Sequence, residues 1–307
     1  MNIKKYKPKK IEKVLNKNFI YLMSDFYQMQ TDLWSNINKV FHDFEKAYII
    51  LFILKKHYDK KNIQNESNQI KISITEISKK LFLAKETVRR KILELENVNI
   101  LIKNKKKISI NVNNLEIIKI YKTHEEVSSR FISKFSFFLK KNEFFGTFYN
   151  VTEIKNYINK NIDYHFNLFI KFQINWYSIY KPNFPDFTTM IIFLLIVLNN
   201  TYYIQKKKEK KSKINFIKSF KDIHILHDSY GLNATSISEL TSIPRASVLR
   251  KMNFLILEKL VRKNSKSLYY LNDLTKSNFA KKHFITGVPK VLILLSDYLS
   301  SSYGSFR

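Results

Sequence analysis

The sequence predicts a mainly α-helical chain with two small β-hairpins, built from two copies of one helix-helix-hairpin unit that aromatic-rich helices join. Three observations predict it. The 307 residues are 45% hydrophobic, enough to fill real cores. A block from Ser73 to Ile110 returns 160 positions later, ungapped, from Asn233 to Tyr270. Each block closes on an apolar segment, a polar loop and a β-prone segment, the pattern of a two-stranded hairpin.

Within the repeated block Ile77 meets Ile237, Leu83 meets Ile243, Val88 meets Val248, Arg90 meets Arg250, Lys91 meets Lys251 and Leu95 meets Leu255. A weaker similarity precedes each copy. Trp34 and Asp43-Phe44 lead into the apolar stretch Ala47 to Leu54, and Trp176 and Asp186-Phe187 lead into Met190 to Leu198. The spacing differs by 17 residues between copies, and the Lys-rich segment Gln205 to Lys213 is the natural place for the insertion, read as a solvated loop.

These landmarks divide the chain into N-terminal helices plus a first unit over 1–122 (core 70–113), and a connecting helical region over 123–184. A second unit over 185–290 (core 230–273) and a C-terminal tail over 291–307 follow. In the connecting region His124 to Lys141 and Thr152 to Tyr180 carry helical spacing, and Asn150 with Glu153 has the capping-box form of a helix start. These helices pack the halves together or form a homodimer interface, and the sequence leaves both open. Trp34 and Trp176 read as core, with an effector ligand left open.

In the first unit Ser73 caps a short helix with Glu76 three residues on, Ile77 and Leu81 face inward, and Phe82-Leu83-Ala84 turns the chain. A second helix starts at Lys85, with Val88, Ile92 and Leu95 as its buried stripe. Arg90 lies about 200° around the helix from Val88 and points away from that core. The second unit repeats this with Asn233 as cap, Ser242-Ile243 as turn, Pro244 at the first helical position, and Val248, Met252 and Leu255 inside. The hairpins follow as Ile100-Leu101-Ile102, Lys103 to Lys107 and Ile108-Ser109-Ile110, and as Leu260-Val261, Lys263 to Ser267 and Leu268-Tyr269-Tyr270.

Both blocks resemble the winged helix-turn-helix domains of bacterial transcription regulators. Glu76-Ile77-Ser78 through Thr87-Val88-Arg89-Arg90 has the general form of the MarR-like group, and Ile243-Pro244-Arg245-Ala246-Ser247-Val248 is similar to the corresponding turn of the IclR-like group. The resemblance covers about 40 residues of each copy. It implies recognition helices beginning at Lys85 and Pro244, with hairpin tips on phosphates or in a minor groove. One departure is the glycine such families often carry before the hairpin; Asn99 and Lys259 stand there.

On this reading Lys85, Glu86, Arg89 and Arg90, and Arg245, Ser247 and Arg250, are the groove contacts, with Thr87, Lys91 and Lys251 as further contacts from the same helices. Lys105, Lys106, Lys107, Lys263 and Lys266 are assigned to phosphates. The partner expected is double-stranded DNA, and the function that of a regulator reading two half-sites. A plasmid-type replication initiator with two winged helices is the alternative, and a non-catalytic protein or nucleic-acid docking protein is another.

Charge agrees in sign. Lys+Arg total 54 against 25 for Asp+Glu, a formal net charge of +29, which suits a polyanion; abundant Lys, Asn and Ile make part of this compositional. Arginine is the more selective signal. Of seven, Arg89, Arg90, Arg245, Arg250 and Arg262 fall in the two blocks, leaving Arg130 and Arg307 outside.

Other functions find little support. The chain has four glycines and no cysteine, so it offers no Gly-rich phosphate loop, thiolate zinc site, cysteine nucleophile or disulfide. No catalytic residue is assigned, no cofactor or metal is expected, and His224 and His227 beside Asp222 and Asp228 fall short of a metal site. Met190 to Leu198 is shorter than the roughly 20 apolar residues of a membrane span. It reads as a buried helix, in a protein expected in a bacterial cytoplasm without a membrane partner.

Overall fold

Helices and two small antiparallel hairpins follow one another in the order that the sequence pattern predicts. A computed structural model describes residues 7–61, 70–104, 107–142, 147–207, 231–274, 277–280 and 286–306. His224, His227, their neighbouring aspartates, Lys105, Lys106 and residues 208–213 of the Lys-rich segment lie outside these residues.

The N-terminal half begins with α1 (Pro8–Lys17), α2 (Phe19–Phe41) and α3 (Phe44–Lys61), followed by β1 (Ile70–Lys71). The first helix pair is α4 (Ile74–Leu81) and α5 (Lys85–Asn97), and the hairpin is β2 (Leu101–Asn104) with β3 (Lys107–Ile110). Next come α6 (Leu115–Lys141), α7 (Val151–Lys160), α8 (Ile162–Tyr180) and α9 (Phe187–Lys207). The second pair is α10 (Ala234–Thr241) and α11 (Arg245–Leu257), with the hairpin β4 (Val261–Lys263) and β5 (Tyr269–Leu271). A helical turn at Asn278–Ala280 precedes α12 (Thr286–Ser305).

Local chemistry sets the helix starts. Ser73 accepts from the Glu76 amide and Asn233 from the Ser236 amide, each satisfying an orphan N–H of the first turn. At α7 the capping box closes in both directions, Glu153 N–H to Asn150 and Asn150 N–H to the Glu153 carboxylate. Pro244 lies one residue earlier than expected: it is the N-cap, and α11 begins at Arg245. Its missing N–H costs nothing there either, because the first N–H groups have no partner within the helix.

The turns between paired helices need a left-handed residue, and the chain supplies non-glycines. Phe82 (φ 54°) and Ser242 (φ 57°) close α4 and α10. Asn99 (φ 54°) and Lys259 (φ 57°) occupy the positions before the hairpins. The backbone geometry that a glycine would give is therefore adopted in its absence, at a steric cost of about 1–2 kcal/mol for each residue that carries a Cβ.

The first sheet has a third strand that the hairpin pattern did not reveal. Its order is β1-β3-β2, with Ile70 opposite Ile108 and Leu101 opposite Ile110. In the second sheet Val261 pairs with Leu271, and Leu232 bridges to Tyr269. The second hairpin thus holds one residue more than the ungapped repeat allows, so Tyr269 rather than Leu268 takes the place of Ile108. The extra residue sits in a turn organised by Asn264, which accepts from Ser267 and Leu268.

Two sequence boundaries move. Leu115–Lys141 runs unbroken through the 122/123 division. The segment 291–307, expected as a tail, lies mostly in α12, which packs on α1 and α8 and buries Val291, Leu292, Leu295, Tyr298 and Leu299. Tyr298 donates to Ser128 and Tyr303 to the Ile132 carbonyl, so hydrogen bonds as well as apolar burial hold it.

The halves meet around aromatic side chains. α2 packs on α9, and α8 packs on α3. Trp34 lies 4.4 Å from Phe187, Tyr48 lies 3.8 Å from Tyr177, and Phe44 stacks on Phe187 at 5.4 Å. Trp34 and Trp176 are fully buried. α9, which contains Met190 to Leu198, is long and apolar enough to cross a membrane by length and composition, and two thirds of it is buried inside the fold.

Candidate nucleic-acid interface

Each short helix pair presents the outer face of its second helix. In α5 the residues Val88, Ile92 and Leu95 are buried, and in α11 so are Val248, Met252 and Leu255. What remains outward on α5 is Lys85, Glu86, Arg89 and Arg90, with Thr87 half-buried; on α11 it is Arg245 and Arg250, with Ser247 half-buried. These side chains gather at the N-terminal two turns of each helix.

Lys91 and Lys251 are corrections. Lys91 is 4% exposed, and its ammonium is bound by Asp43 and, at 3.3 Å, by Glu45. Lys251 is bound by Asp186. Neither is presented for a nucleic-acid contact. The cause is the helical wheel: Lys91 follows Val88 by three residues, about 300° of rotation, which returns it to the buried side.

The two aspartates do two jobs with two oxygens. Oδ1 of Asp43 accepts from the Glu45 and Lys46 amides at 2.9 and 3.1 Å, capping α3, while Oδ2 holds Lys91. Oδ1 of Asp186 accepts from the Thr189 amide at 2.8 Å, capping α9, while Oδ2 holds Lys251. Burial pushes the Asp186 carboxyl up, but its bonds from Lys251 and Thr189 outweigh that and leave it below the usual carboxylate range. Each exposed helix is thereby tied to the start of a core helix.

One strand of each hairpin packs on the outward helix before it, β2 on α5 and β4 on α11. Lys263 and Lys266 are exposed at the second hairpin, with Lys263 also 5.7 Å from the Tyr269 ring. Of Lys107 only the backbone place, in β3 opposite Asn104, is described. Arg262 lies over the Tyr270 ring at 4.3 Å.

Three features escaped sequence reasoning. Lys46 of α3 reaches Glu94 of α5 at 2.5 Å and holds that carboxyl below its usual range. Ser35 and Asn38 of α2 donate to the carbonyls of Leu240, Thr241 and Ser242, clamping the turn between α10 and α11. Gly231 lets the chain pass Leu268 and Tyr269, where an added Cβ would come within 2.7 Å of the Leu268 Cβ. Asn38 and Lys46 sit on helices remote in sequence from their partners, so no local pattern flags them. Among the described residues no cluster of three His, Asp or Glu side chains could hold a metal ion.

No family model matches this chain, and it matches no curated protein and no solved structure.

Proposed function

We propose that the chain binds double-stranded DNA as a sequence-specific regulator, through two winged helix-turn-helix units that arose as an internal repeat. The observation that carries this reading is the pair of outward arginines, Arg90 and Arg250. They lie 160 positions apart on helices with matching buried stripes, each helix locked by a lysine one residue further on to an aspartate that caps a core helix. Equivalent turns support the repeat, since Ser78 and Ser238 each donate to a carbonyl five residues on, Leu83 and Ile243, at 2.6 Å.

The packing of the halves favours inverted half-sites. If α2 corresponds to α8 and α3 to α9, then α2 on α9 and α8 on α3 are the same contact made twice, with Phe44 stacked on its own counterpart Phe187. Such reciprocity marks a local two-fold axis, as in an isologous dimer. Each recognition helix is joined to that axis by only a lysine, an aspartate and the next phenylalanine. That reach is far short of the roughly 70 Å of two DNA turns, so the half-sites are expected one turn apart.

The test is selection of the full chain against random duplex DNA at about 150 mM salt, near the physiological screening regime, with Arg90→Ala and Arg250→Ala in parallel. The expected result is one compact motif of two half-sites, each mutation relaxing one of them. Binding without any preferred sequence would sink the reading.

A further inference from the structure

The two outward helices differ in one respect that the repeat does not predict. On α5 both arginines already have carboxylate partners: Arg89 with Glu86 at 3.8 Å and Arg90 with Glu94 at 3.4 Å. Glu94 is itself fixed by Lys46. On α11 no carboxylate occurs between Arg245 and Leu257, and among the described residues neither Arg245 nor Arg250 has an ion pair.

We propose that the helices divide the labour of DNA binding: α11, besides reading its own half-site, is the anchor that supplies affinity for any duplex, and α5 is the stricter reader, with Glu86 as the residue that selects cytosine. This rests on the DNA-binding reading above. An arginine free of partners gains a phosphate contact at no internal cost. Arg89 loses little by leaving its exposed 3.8 Å pair with Glu86, but the same approach brings the Glu86 carboxylate toward the phosphates, which repel it. Non-specific contact by α5 is therefore disfavoured.

That repulsion is relieved at one kind of base. Glu86 stands in the first turn of α5 with most of its side chain exposed, the part of a recognition helix that meets base edges. In the major groove a carboxylate can accept from the N4 amino group of cytosine, while the displaced Arg89 donates to O6 and N7 of a guanine. The first half-site is thus expected to contain a cytosine facing Glu86. Glu94, gripped from the other side by Lys46, keeps Arg90 pointed along the helix until a base or phosphate competes for it, so Lys46 acts as a positioning residue.

The experiment uses the full chain with two probes: a random-sequence duplex of about 30 base pairs, long enough for two half-sites one turn apart, and the motif the unaltered protein selects. Glu86→Gln is expected to raise affinity for the random duplex about three-fold and to erase the cytosine preference at one position of one half-site. Arg245→Ala and Arg250→Ala are each expected to weaken both probes about ten-fold. All these side chains are exposed, and unchanged thermal melting confirms that each variant folds. If Glu86→Gln leaves both the motif and the random-duplex affinity as they were, the division of labour is wrong while DNA binding stands. If the unaltered chain binds neither duplex, the DNA-binding reading falls and this inference with it.

Discussion

Replacing Lys91 with alanine separates a structural tether from a DNA contact. The lysine is almost fully buried, and its partners Asp43 and Glu45 are about three-quarters buried. Breaking a buried pair by removing one member costs about 3–5 kcal/mol. Here the two carboxylates keep some access to water, which lowers the penalty to about 2 kcal/mol. For a chain of this size that is a fall in Tm of about 3 °C. The assay is thermal unfolding followed by circular dichroism, combined with the salt dependence of duplex binding. Lys91→Ala is expected to lower Tm and leave the slope of log K against log salt unchanged. The double variant Lys91→Met with Asp43→Asn is expected to recover at least half of the loss, because the nearer of the two uncompensated carboxylates is gone. The reasoning is refuted by an unchanged Tm together with a slope reduced by about 0.9, the signature of one lost phosphate contact.

Three further outcomes follow from the same structure. Lys259→Gly removes a left-handed residue bearing a Cβ and is expected to stabilise the fold by about 1 kcal/mol in chemical denaturation; a loss would show that its side chain contributes more than its backbone costs. Gly231→Ala pushes a methyl group against Leu268 and the Tyr269 carbonyl, and is expected to cost about 1–3 kcal/mol by the same measurement. Acid is expected to destabilise the protein through His124, which burial, helped by nearby His165, pulls down from 6.5 to about 3 and whose ring nitrogens have no hydrogen-bond partner. The fold holds the neutral form and the unfolded chain takes the proton, so this contribution is complete above pH 6.5 and is lost as pH falls toward 3. At pH 5 the loss is about 2 kcal/mol, and burial of His165, pulled down to about 4, acts in the same direction. His124→Phe is expected to flatten the stability profile between pH 6.5 and 5; an identical profile in the variant would contradict the assignment.

What was legible in the sequence was local or periodic. Ser73, Asn150 and Asn233 announce helix starts because a cap acts within three residues of itself, and the inward stripes of α5 and α11 follow from helical spacing alone. The inward place of Lys91 was equally available from the wheel, but its charge suggested a polyanion when the partner was Asp43. The slip in the second hairpin was not available, because Leu268, Tyr269, Tyr270 and Leu271 lack the apolar-polar alternation that fixes register. The helix of residues 286–305 carries its apolar spacing openly in Val291, Leu295, Tyr298 and Leu299, so its reading as a tail was a missed pattern. The clamp of Asn38 on the α10–α11 turn spans more than 200 residues, and no periodicity reports a contact of that separation.

On the proposed DNA-binding reading, the placement of α5 and α11 gives such long-range contacts a functional consequence. Reading two half-sites with one chain requires that two outward helices keep a fixed spacing, because a site held loosely by about 1 Å loses much of its discrimination. Flexible linkage between two independent units would give avidity without a defined spacing. Here the spacing is set by parts that also build the core. The aspartate that starts α3 holds α5, the aspartate that starts α9 holds α11, and the phenylalanines following those aspartates stack on each other. A shift of either outward helix, α5 or α11, therefore has to break a charged contact, uncap a core helix or unstack the centre of the molecule. The Asn38 clamp adds a restraint on the second unit, and the Lys46–Glu94 pair adds one on the first. Insertions that preserve both half-sites but change their separation by a few base pairs are accordingly expected to abolish the two-site advantage, since neither helix can follow its half-site around the duplex.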